Sequence, residues 1–80
     1  MKLGQKVKFE VFSYELTSYW DTPFGVIYLY TFRDFLNNIF IWKSQKFIED
    51  DIYSIKGRIK KIENFNGNKE YVLTYCKVNA

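Results

Sequence analysis

The chain has 80 residues, nearly half of them hydrophobic, with eight Phe, seven Tyr, two Trp and a formal charge of +3. That composition excludes a disordered chain, and no apolar run approaches the roughly 20 residues of a membrane helix. The absence of histidine excludes His-based acid–base catalysis and His metal ligation.

Period-two alternation dominates from the start. Val7, Phe9 and Val11 fall on one side of an extended segment, with Lys8, Glu10 and Phe12 on the other. This predicts a first strand from Gln5 to Tyr14, extending toward Ser18. Trp20 to Gly25 carries the proline and glycine of a loop. Val26 to Arg33 is a second strand, with Tyr28, Tyr30 and Phe32 on one face and Leu29, Thr31 and Arg33 on the other. Asp34 to Asn38 reads as a turn, since paired asparagines tolerate positive φ. Ile39 to Lys43 is a third strand. A helix from Thr31 to Lys43, capped by Thr31, competes for this region because Phe32, Phe35, Leu36, Ile39 and Phe40 also fit helical spacing. β-branched and aromatic enrichment on both sides of Asn37-Asn38 favours the hairpin.

Ser44 to Asp51 fits a short helix capped by Ser44, with Phe47 and Ile48 inward. Glu49, Asp50 and Asp51 at its C-terminal end oppose the helix dipole and limit its length. Tyr53 to Asn64 is the cleanest strand: Tyr53, Ile55, Gly57 and Ile59 point one way, and Ser54, Lys56, Arg58 and Lys60 the other. Asn66-Gly67 is the strongest short hairpin signal, and Lys69 to Val78 is the returning strand.

The order is three strands, a linker with room for one short helix, then a hairpin. The predicted fold is all-β: one domain over residues 1–80, a small five-stranded, OB-fold-like Greek-key barrel. Closure would remove the exposed sheet edges of so short a chain, and Gly57 suits a barrel corner. An SH3-like barrel, with similar strands and different connections, is the main alternative.

Cys76, the sole cysteine, leaves no internal disulfide and agrees with a reducing compartment. Its place in a Val/Thr/Cys/Val alternation reads as a buried, inert thiol. Charge returns within Met1 to Lys6 before any apolar stretch develops, so the opening makes a poor signal peptide and the cytoplasm is the expected location. No Gly-rich phosphate loop is present, and the adjacent acids Glu49, Asp50 and Asp51 read as a solvated face. The chain is expected not to be an enzyme and to need no metal or cofactor.

What remains is aromatic surface beside positive charge, the combination that unpaired nucleic acid requires. Placing Ile39 and Ile41 in the core would turn Phe40 and Trp42 outward beside Thr31 and Arg33. Bases would then stack on the two rings, with Arg33, Lys43 and Lys46 near phosphates. The competing reading puts both rings in the core or under the Ser44 to Asp51 segment. Lys56, Arg58 and Lys60, spaced by two, form a row of cations that reads as a phosphate track or as a solvated outer face. Phe65 at the last hairpin tip, with Lys69, Tyr71 and Tyr75, could close over a bound strand, or simply pack locally. Trp20 and Phe24 hold the matching position in the first long loop.

Thr31-Phe32-Arg33-Asp34 and Phe40-Ile41-Trp42 resemble the strand-turn-strand of OB-fold proteins that bind single-stranded DNA. Ile55 to Lys61, Asn66 to Lys69 and Leu73-Thr74-Tyr75-Cys76-Lys77 resemble the final hairpin of small OB domains in phage and mobile-element replication proteins, with Tyr75 where a basic residue is common. The resemblance covers most of Val26 to Val78. It implies a non-catalytic single-stranded DNA-binding protein working beside replication or recombination proteins, with its groove between strands two and three and the two flanking loops. Because one such domain covers only a few nucleotides, self-association or tandem binding is expected. RNA is the other candidate ligand. A protein-interaction module that inhibits or loads a host factor through its aromatic patch is the rival function.

Overall fold

The computed structural model describes residues 1–49 and 51–79. Five strands, β1 (Lys6–Thr22), β2 (Gly25–Asp34), β3 (Ile39–Ser44), β4 (Ser54–Phe65) and β5 (Asn68–Asn79), form one closed barrel in the order β1-β2-β3-β5-β4. The β3–β5 pair is parallel and the others are antiparallel. β1 serves both sides of the closure: Lys6 to Glu10 pair with β4, and Val11 to Thr22 pair with β2. Register shifts at Val11/Ser13 and Leu16/Ser18 mark the irregularities that let one long strand bend between two partners.

β1 also runs further than the alternation implied. Trp20 is in the strand, opposite Ile27, and only Pro23-Phe24 remain as a turn. The Thr22 hydroxyl accepts the Phe24 N–H at 3.2 Å and donates to the Gly25 carbonyl at 2.6 Å, which closes the turn early. Gly25 sits at φ 116°, open to glycine.

Residues 31–43 are a hairpin and not a helix. The Asp34 carboxylate holds its turn, with Oδ1 accepting the N–H groups of Leu36 (3.0 Å) and Asn38 (2.8 Å) and Oδ2 accepting the Asn38 side chain (3.0 Å). Asn37 takes the left-handed conformation at φ 66°.

The expected helix between the third and fourth strands is absent: no helix occurs among the described residues, and so none long and apolar enough to cross a membrane. Ser44 does not cap a helix. Its hydroxyl accepts the Lys46 N–H and donates to the Lys46 carbonyl, closing a local turn. The Ile48 N–H then donates to the Tyr30 hydroxyl at 2.8 Å, so the backbone is satisfied by the barrel instead of by a helical turn. Ile48 and Ile52 pack on the core, while Phe47 stays exposed, edge-on to Tyr28. Asp50 lies outside the described residues.

Ile55, Gly57 and Ile59 of β4 point inward, and Lys56, Arg58 and Lys60 point to solvent. Tyr53 and Ser54 reverse the expected pattern, Tyr53 exposed and Ser54 buried beneath the Asn79 amide. Asn66 (φ 52°) and Gly67 (φ 81°) form the β4–β5 turn.

The interior is largely aromatic. Tyr30, Phe32, Phe40 and Tyr71 are buried with Ile52, Ile55, Ile59 and Leu73. Phe40 stacks on Phe9 with centroids 3.9 Å apart and ring planes within 11°.

Candidate nucleic-acid interface

The most strongly charged surface is the outer face of β1, β4 and β5. Pairing sets Lys6 opposite Arg58, Lys8 opposite Lys56, and Lys56 opposite Lys77. Directly opposed side chains on one face are close neighbours, and opposed like charges destabilise a sheet. Among the described residues, no acid stands within ion-pair distance of any of these five cations. The nearest along the same face of β1 is Glu10, opposite Ser54 at the end of the row. The cations line an open groove of about 710 Å³ together with Tyr75.

Gly57 shapes the floor of this groove. A Cβ there would lie 3.0 Å from Cys76 Sγ, so a side chain at this position would require the thiol to shift. Opposite Gly57 the β5 register slips: Lys56 pairs with Lys77 and Arg58 with Thr74, leaving Tyr75 and Cys76 facing a single residue. This β-bulge turns Cys76 toward the core and Tyr75 toward solvent.

The sequence-derived site residues divide between surface and core. Lys56 and Arg58 belong to the cationic groove. Phe40, expected on the surface, is 1 % exposed. Trp42 is half-buried, with its ring 6.4 Å from Phe32, and packs against the core. Tyr71 is buried against Phe40 at 5.6 Å. The register explains the inversion. Phe32 is opposite Phe40 and Tyr30 is opposite Trp42, so the rings of both strands share the inner face. Ile39 and Ile41, expected inside, lie opposite Arg33 and Thr31 on the outer face.

That second outer face has Leu29, Ile41 and Val72 in a groove of about 500 Å³, rimmed by Lys43, Lys60 and Lys61. It is less available to an anion, because Lys61 Nζ lies 3.0 Å from Glu63 Oε1. Arg33 donates to the Asn37 side chain at 3.2 Å and shares a small depression with Lys69. Lys46 lies on the linker, beside Trp42 and Phe47. Trp20 and Phe65 sit at opposite hairpin ends, both exposed, with Phe24 92 % exposed at the first tip.

Comparisons of the chain with protein-family models, curated proteins and solved structures give no match. The site therefore rests on its own geometry. Sequence reasoning missed Lys6, Lys8 and Lys77 as members. The signal was present in the alternation Lys6-Val7-Lys8-Phe9, which assigns both lysines to the face away from the core.

Beneath the groove, burial pushes the Cys76 thiol from 9.0 up to about 12. Because the folded value is the higher, the stability it contributes is complete below pH 9 and is lost as pH rises toward about 12. A thiol-reactive dye at pH 8 is expected to label the native protein far more slowly than the urea-unfolded chain. Equal rates would show an accessible thiolate and contradict the packing at Gly57.

Proposed function

We propose that this chain is a non-catalytic, single-stranded nucleic-acid-binding protein built on an OB-fold-like barrel. DNA is its expected ligand, and its setting is the replication or recombination of a phage or mobile element, as the sequence resemblance implies. The observation that carries this reading is the opposed cations Lys6, Lys8, Lys56, Arg58 and Lys77, with no acid within ion-pair distance of them among the described residues. Such an arrangement costs stability unless a polyanion occupies it. Outside the cationic groove, Phe24 and Phe65 are exposed at the ends of the β1–β2 and β4–β5 hairpins, and Trp20 is exposed near the end of β1. They supply sequence-tolerant stacking surfaces.

A second reading has one observation in its favour. The end of the β1–β2 ribbon exposes Leu16, Tyr19, Trp20 and Phe24, an apolar set suited to a protein partner such as a replication or host factor. Salt separates the two. If five cations each meet a phosphate, log K for a fluorescent oligo-dT should fall with log salt at a slope near −3.5, about 100-fold between 50 and 200 mM. Anisotropy titration measures this directly. Binding that is absent, or indifferent to salt, rejects the nucleic-acid reading and leaves the ribbon as the functional surface.

A further inference from the structure

We infer that Tyr75 is the ring on which an unpaired base stacks in the cationic groove, so that this face selects single strands over duplex; the inference rests on the nucleic-acid reading above. Tyr75 has φ 54°, in the left-handed region that L side chains with bulk rarely adopt. Glycine would make the same bulge without strain. The ring gains nothing in packing to offset that strain. It is 83 % exposed, and among the described residues it has no ring partner and no hydrogen bond. Folding therefore does not account for a tyrosine at this position. Strain that the fold does not require is characteristic of functional sites.

Its surroundings supply the function. The bulge turns Tyr75 out of the sheet into the groove that Lys56, Arg58 and Lys77 line together with Lys6 and Lys8. A flat ring in a groove lined by phosphate-seeking groups matches the two demands of a single strand, a stacking surface for the base and counter-charges for the backbone. A duplex meets only the second demand, because its bases are stacked on each other and turned away from the protein.

The test uses the full chain, a labelled oligo-dT and a labelled duplex of equal length. Tyr75→Gly is expected to melt at a higher temperature than the wild type, because it relieves the positive φ. Its oligo-dT affinity should fall about 5- to 150-fold, the equivalent of one lost stack, with the salt slope and duplex affinity unchanged. Tyr75→Phe should keep single-strand affinity, and Tyr75→Asn, which also tolerates this backbone, should repeat the glycine result. If Tyr75→Gly binds oligo-dT like the wild type, or loses oligo-dT and duplex affinity equally, the stacking role is overturned while the cationic groove stands. If the wild type binds neither nucleic acid, the functional reading itself fails, and this inference fails with it.

Discussion

Replacing Lys8, Lys56, Arg58 and Lys77 together by glutamine is expected to weaken oligo-dT binding at 50 mM salt by at least about 100-fold, and at the same time to raise the melting temperature. The two effects have one cause. Counterion release gives each phosphate contact about 0.7 of a unit in the log–log salt slope, so removing four of five contacts should flatten a slope near −3.5 to about −0.7. The substitutions also take the formal charge from +3 to −1, since four positive charges are lost.

In the free protein the same four changes relieve all three opposed pairs, Lys6 with Arg58, Lys8 with Lys56, and Lys56 with Lys77. Relief of roughly 1 kcal/mol in total would raise the melting temperature by about 4–8 °C in a domain of this size. The gain should fade toward 1 M salt, where the Debye length is only about 3 Å. Calorimetry at two salt concentrations checks it. A variant that loses both affinity and stability would show that the cations hold the barrel together, and the groove would cease to be a site.

The fold was legible where one face of a strand is apolar and the other charged. Ile55-Lys56-Gly57-Arg58-Ile59 could sit in a sheet in only one way, and the Asn66-Gly67 turn fixed its partner strand. The linker after Ser44 was misread because its helical signals are local, whereas the bonds that decide it are not. The Tyr30 hydroxyl that takes the Ile48 N–H comes from a strand 18 residues earlier. The end of β1 was misread for the opposite reason: proline and glycine marked a loop, but a single threonine hydroxyl shortened that loop to a two-residue turn.

The site was half legible. Lys56 and Arg58 followed from their spacing, but the residues that complete the groove lie 50 positions away in β1 and beyond a bulge in β5. Nothing local marks a bulge at Tyr75, because the register slip lies opposite Gly57 on the neighbouring strand, where Cys76 Sγ fills the space that a Cβ would take. The central hairpin was decidable in principle. Once Asp34 to Asn38 is the turn, Arg33 pairs with Ile39, and Phe32 must then face Phe40. Alternation within each strand alone leaves its face open, and coupling the two strands through the turn places Phe40 and Trp42 inside.

That coupling makes Phe40→Ala the decisive substitution for the interior. On a surface shelf, the change would remove a stack and leave the fold alone. In this barrel it removes a ring that is 1 % exposed, stacked on Phe9 at 3.9 Å and packed against Tyr71 at 5.6 Å. Phe→Ala at such a site costs about 3–5 kcal/mol through lost transfer energy and an unfilled cavity. A domain of this length has a total stability of roughly 4–12 kcal/mol, so the variant should melt at least about 12 °C below the wild type, if it folds at all. Phe40→Leu keeps most of the volume and should fold, with oligo-dT affinity and salt slope equal to those of the wild type. A Phe40→Leu protein of near-normal stability that binds oligo-dT tenfold more weakly would instead put the ring at the interface, and the inward register of β3 would have to be abandoned.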